Sequence, residues 1–195
     1  MFRFALGFVG ALLLSIAAVA QMETWQIDPA HSSAQFAVRH MGISTVRGAF
    51  TKVSGTVQYD PADPTKTVIN VTIDSASLDS HVEMRDNDLR SDKFFDVQKY
   101  PTITFKSKHV EAAGKGKLKV IGDLTIHGVT KEVVLDVDGP AGPTKDPRGN
   151  AHMGAAASVT ISRKDFGVTS YPQMIGDDVA ITIDTEIVKP AAAPK

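Results

Sequence analysis

The residues of this chain best suited to moving protons or holding a metal are six histidines, which fall in six separate segments: His31, His40, His81, His109, His127 and His152. None is spaced as H-x-x-x-H or H-E-x-x-H, so a zinc site would need distant strands to bring them together. The acidic run Asp86-Asn87-Asp88 lacks the glycine and closing glutamate of a calcium loop. There is no Cys, which removes thiol catalysis, thiolate metal sites and disulfides together. A G-x-S-x-G elbow, a phosphate loop and a dinucleotide fingerprint are all missing. The reading is therefore no catalytic residue, no metal site, no cofactor and no enzyme. An enzyme would have to draw its acid or base from His81, Asp86 or Asp88.

Those three residues belong to the one stretch that does not read as β-strand, residues 78–96 (LDSHVEMRDNDLRSDKFFD). Ser80 and Glu83 have the S-x-x-E spacing of a capping box, and Glu83 to Arg90 holds helix formers without Gly or Pro. Asp86 and Arg90, four apart, are expected to pair on a solvated face, with Val82 and Leu89 on another. A helix this short is marginal alone and needs a surface to lie on. Phe94 and Phe95 follow at once, and Tyr100-Pro101 returns the chain to a strand. The stretch reads as a lid.

What it covers is read from period-two alternation over residues 33–41, 50–59, 67–74, 102–108, 117–126, 130–138, 151–164 and 178–189. His127-Gly128 is placed for a tight hairpin turn, and the Pro- and Gly-rich residues 139–150 for a long loop. Trp25 and Ile27 open the fold as a short extended segment. Eight strands, each apolar on one face, fit an all-β, eight-stranded antiparallel barrel with one short helical lid. Small residues on the inward faces (Ala34, Gly55, Ser107, Ala155, Ala157) favour a cavity over a filled interior.

The ends carry their own signals. Arg3, the apolar run Phe4 to Val19 and the A-x-A of Ala18-Val19-Ala20 read as a signal peptide cleaved after residue 20. The domain then spans 21–189 and the tail 190–195 (PAAAPK) is expected to be disordered. A net charge of −1 gives no electrostatic reason to expect nucleic acid or an anionic membrane as partner. No stable membrane insertion is expected once the leader is removed.

WQIDPAHS (25–32), FAVRH (36–40), VRGAF (46–50), RDNDLRSDKFFD (85–96), YPTITFKS (100–107) and GDLTIHGV (122–129) closely resemble the YceI-like family across essentially the whole mature chain. The resemblance implies a lipocalin-like barrel that holds a long-chain isoprenoid or quinone-like lipid, a periplasmic or secreted location, and a homodimer. It transfers no single diagnostic residue. On that picture Phe36, Val38, Phe50, Ile103, Phe105, Leu124, Ile126 and Met153 line the cavity, and Leu89, Phe94 and Phe95 close it. His40, Arg85 and Asp88 stand at the polar end. Two other readings stay open: an enzyme acting on such a lipid, and a filled barrel serving as a stress or interaction protein.

Overall fold

The computed structural model describes residues 22–191. The expected leader and residues 192–195 of the expected tail lie outside the described residues. Among the described residues there are eleven strands: β1 (Glu23–Ile27), β2 (Ser33–His40), β3 (Ser44–Phe50), β4 (Val53–Tyr59), β5 (Val68–Asp74), β6 (Leu78–Asp79), β7 (Thr102–Ala112), β8 (Lys117–Ile126), β9 (Val129–Lys145), β10 (Ala151–Ser162) and β11 (Ile175–Lys189). One α-helix, α1 (Glu83–Arg90), stands between β6 and β7.

Eight of these strands close an antiparallel barrel in the order β1-β4-β5-β7-β8-β9-β10-β11, with β11 returning to β1. The closing seam is short, Gln26↔Val188 and Ile27↔Ile187. Beyond it β11 takes β2 as partner instead, from Asp184↔Ser33 to Val179↔Val38. The β2–β3 hairpin thus extends the wall past the ring, and β6 pairs with β3 at its outer edge.

The barrel matches the expected architecture, with a different membership. The eight periodic segments include β2, which lies outside the ring, and omit β1, whose two inward residues, Trp25 and Ile27, are too few to establish a period. Residues 50–59 were read as one strand but divide into β3 and β4. Phe50 and Val53 are both buried, and residues three apart cannot share a face of one strand. The expected loop 139–150 is strand as far as Lys145. Gly139 and Gly142, at φ 125° and 107°, let β9 bend where its register against β10 shifts.

Two further glycines serve as seats for aromatic rings. A Cβ on Gly48 would lie 2.5 Å from the Phe36 ring, and one on Gly122 2.5 Å from the Phe105 ring. Each bare backbone accepts a phenyl face from the neighbouring strand. The turn between β8 and β9 is the expected two-residue one: His127 and Gly128 have φ 51° and 74°, and Ile126 pairs with Val129. Tyr100 packs on it, edge-on to His127 at 4.5 Å.

Helix α1 has its expected extent and a different start. Its N-cap is Val82, with no side-chain cap, because His81 adopts φ 65° and separates Ser80 from the helix. The Ser80 hydroxyl donates instead to Asp86 Oδ1, which also accepts the Ser80 amide at 2.9 Å. Asp86 is consequently buried and does not pair with Arg90. Arg90 donates to the carbonyls of Ala76 and Leu78, tying the helix to β6. Asp86→Ala leaves two buried Ser80 donors unpartnered and should cost about 1–3 kcal/mol, read as a lower urea midpoint at unchanged slope. A midpoint equal to wild type would mean that Asp86 does not anchor the lid.

Candidate ligand-binding cavity

Alternation along each barrel strand sends every second side chain inward, and those side chains do not meet. They surround a cavity of about 970 Å³. This lies at the upper end of the range of roughly 300–1,000 Å³ usual for ligand sites. An interior this open argues against the filled-barrel reading.

All fourteen residues singled out from the sequence lie on the cavity wall. Phe36, Val38 and His40 come from β2, Phe50 from β3, Ile103 and Phe105 from β7, Leu124 and Ile126 from β8, and Met153 from β10. Arg85, Asp88 and Leu89 come from α1, and Phe94 and Phe95 from the turns after it. The aromatic pair anchors the lid: Phe95 meets Phe50 edge-on at 5.4 Å, and Phe94 stacks on Tyr171 at 5.8 Å. Of the five small residues expected to open space, Ala34, Ala155 and Ala157 line the cavity. Gly55 and Ser107 have other tasks. A Cβ on Gly55 would fall 2.1 Å from the Asn70 carbonyl oxygen, so strand approach requires the glycine. Ser107 Oγ accepts the Ile69 amide at 2.8 Å, beside the register shift in β7.

The missed part of the wall is the crossing from β10 to β11, residues 163–174. It is organised by Arg163, a buried guanidinium that lines the cavity. Its Nε donates to the Gly176 carbonyl at 3.0 Å, Nη1 to those of Val168 and Ser170 at 2.9 and 2.8 Å, and Nη2 to that of Ile175 at 3.0 Å. Ser170 Oγ in turn donates to the Lys93 carbonyl at 2.6 Å, joining this segment to the lid. No periodicity marks it. A lone Arg at a strand end and the Phe166-Gly167 pair, within reach of the family resemblance, are the traces it leaves in the sequence.

The polar groups at the mouth are held by the protein itself. Arg85 donates to Ser80 Oγ and the Ser80 carbonyl at 2.8 and 2.7 Å, and Asp88 pairs with Lys93 at 3.2 Å. Lys93 is held protonated to higher pH, first by its bond to Asp88 and then by Tyr171. His81 is exposed, pairs with Asp79 at 3.4 Å and is not on the cavity wall. With Asp86 committed to Ser80, the three lid residues considered as an acid–base set do not converge.

Away from the cavity, His31 Nδ1 lies 2.9 Å from Asp28 Oδ2, and both sit with Glu186 close enough to share a cation. Beside them His152 bridges Glu186 Oε1 at 2.6 Å and Asp146 Oδ2 at 3.4 Å. This grouping had no motif to announce it, because its members come from four segments.

Hydrogen bonds set its titration. His31 is raised above 6.5, chiefly by Asp28, and His152 above 6.5, chiefly by Glu186 against some desolvation. Asp28 is lowered from 3.8, first by its bond to His31. Asp146 is lowered too: burial opposes the shift, and bonds from Asn150 and His152 outweigh it. The histidines contribute stability that is complete below 6.5 and lost as pH rises through their raised values. The aspartates contribute stability that is complete above 3.8 and lost as pH falls through their lowered values. The thermal midpoint should therefore decline as pH rises above 6.5, and His152→Asn should flatten that decline. An equal slope in the variant would remove His152 from the account.

A closed antiparallel barrel with an apolar interior and a helical lid defines a lipocalin-like fold. The comparisons with known proteins make this specific: the YceI-like domain matches residues 25–187, and the chain belongs to that family. It is 41% identical over 160 residues to a UPF0312 protein of Vibrio cholerae, covering 81% of this chain and 84% of the relative. A UPF0312 protein of Serratia proteamaculans is 38% identical over 182 residues, covering 92% and 93%. Among solved structures, Burkholderia cenocepacia BcnA superposes with a TM-score of 0.73 at 27% identity, covering 82% of this chain and 98% of its own. A polyisoprenoid-binding domain from Saccharophagus degradans shares the fold at a TM-score of 0.64 and 15% identity, over 87% and 100%.

Proposed function

We propose that the protein is a non-catalytic carrier that holds a long-chain isoprenoid, or a similar amphiphile, inside the barrel in the periplasm. The observation that carries this reading is the cavity: about 970 Å³, walled by aliphatic and aromatic side chains, with its charged groups gathered at the lid end. Such a space gains roughly 0.8 kcal/mol for each CH₂ transferred from water, against the cost of ordering the chain. Its uncharged polar lining is sparse, with Gln35, Thr67, Thr104 and Thr185 set among a predominantly aliphatic and aromatic wall. The Saccharophagus domain, described as polyisoprenoid-binding, lends support through its fold. The leader read at residues 1–20 supports export, to the periplasm or beyond it.

The test is displacement of a fluorescent apolar probe by prenyl alcohols of increasing length. Affinity should rise with each isoprene unit until the cavity is full and then level off. A probe that never enters, or displacement independent of chain length, would refute the carrier reading.

A further inference from the structure

Nine large apolar side chains are exposed among the described residues, and six surround the lid end of the cavity: Met41, Ile43, Val82, Met84, Tyr171 and Met174. Val82, Met84, Tyr171 and Met174 are also cavity-wall residues, so this surface runs without a break into the interior. Its members come from three segments that the fold locks together. The Met41 amide donates to the Met174 carbonyl at 2.6 Å, joining the β2–β3 turn to the 163–174 segment. The Phe94–Tyr171 stack and the Ser170–Lys93 hydrogen bond join that segment to the lid. Ile43 and Met84, at 79% and 81% exposure, project the furthest. A single exposed apolar residue is ordinary, but a collar of six around one opening is not.

Cations stand beside it. Arg39 donates to Thr45 Oγ1 and the Gly42 carbonyl, and Arg85 to Ser80. Among the described residues neither guanidinium has a carboxylate within ion-pair distance. Arg39 is exposed and Arg85 half-buried, on a mouth whose lid also carries the exposed Glu83 and the Asp88–Lys93 pair.

We propose that this collar docks on the surface of a lipid bilayer and that cargo crosses there between membrane and barrel. The proposal rests on the carrier reading and adds the partner. A long isoprenoid tail resides in a bilayer and pays for each carbon exposed to water on the way out. An apolar ring seated among the acyl chains at the opening gives the tail a dry route. Arg39 and Arg85, free of ion pairs among the described residues, can each meet a headgroup phosphate at its edge. A second copy of the chain would also cover apolar residues, but it would seal the end of the cavity that the collar surrounds.

The test uses Ile43→Asp combined with Met41→Asp, two turn positions outside the cavity wall. Asp also tolerates the φ of 52° at Met41. Flotation with vesicles of phosphatidylethanolamine and phosphatidylglycerol measures docking. Transfer of a fluorescent prenyl lipid from the same vesicles measures exchange, and probe displacement in solution measures the cavity. The wild-type protein should float with the vesicles. The double variant should lose about tenfold in both docking and transfer rate while its affinity for the probe in solution is unchanged. Equal docking and transfer by wild type and variant would overturn the collar while leaving the carrier reading intact. So would a wild-type dimer that the variant converts to monomer without any change in transfer. Loss of probe binding by the wild type would instead strike at the carrier reading itself.

Discussion

Replacing Ala157 with Trp should lower affinity for a prenyl chain roughly 50-fold and leave the protein at least as stable as wild type. Ala157 lies on β10 between Val137 of β9 and Ile183 of β11, and all three line the cavity. An indole built there projects into empty space and occupies volume that the tail would otherwise fill. Excluding three methylene units costs about 2.4 kcal/mol of transfer free energy, which is close to 50-fold in Kd. Stability moves the other way, because the added ring gains apolar burial without displacing protein atoms. Phe105 is a poorer probe of the same question. Its ring already presses on Gly122, so enlarging it would strain the β7–β8 pair as well as fill the cavity. Calorimetric titration with a prenyl alcohol and a thermal melt together decide the matter. A folded Ala157→Trp protein that binds like wild type would show that the tail does not occupy the barrel.

Arg163→Met should be the most destabilising single change at the mouth, costing about 3–5 kcal/mol. The buried guanidinium satisfies the carbonyls of Val168, Ser170, Ile175 and Gly176 at once. It also sits 3.6 Å from Asp177 Oδ1, an atom that is buried without a hydrogen-bond partner. Lys164 takes the other carboxylate oxygen at 2.7 Å, so the charge of Asp177 is only partly orphaned by the substitution. Methionine fills the stem volume and supplies no donor. At roughly 2–4 °C per kcal/mol for a domain of this size, the thermal midpoint should fall by about 10 °C. Arg163→Lys should recover little, because one ammonium cannot reach four divergent carbonyls. A loss below about 1 kcal/mol would mean that water replaces the guanidinium and that the 163–174 segment is not organised from this residue.

Much of the barrel was legible because a single-faced strand announces itself at period two. The inward sets of β5 and β8 to β11 can be read directly, and with them most of the cavity wall. Closure was not legible. Two residue pairs between β1 and β11 decide which strands form the ring, and nothing in five residues of β1 distinguishes a ring strand from an extended lead-in. The lid was legible as a helix with an aromatic pair, while its anchoring was misread. Spacing suggested that Ser80 caps Glu83 and that Asp86 faces solvent beside Arg90, but the left-handed turn at His81 redirects Ser80 onto Asp86. Small residues carried a similar ambiguity. Ala157 leaves space for a ligand, whereas Gly55 makes room for a neighbouring backbone and Gly122 for a ring. Composition alone assigns these the same meaning. The segment around Arg163 was nearly silent for a different reason: its order comes from one side chain bonding carbonyls, which any sequence can supply.

The central claim is that the cavity carries an isoprenoid-type lipid, and the most direct measurement is native mass spectrometry of protein isolated from its own host, followed by lipid extraction. The account predicts a folded species heavier than the apo mass by one ligand, with the excess mass recovered in the organic extract as an isoprenoid. A clean apo mass that takes up no added prenyl lipid would contradict it, and the barrel would then need another occupant.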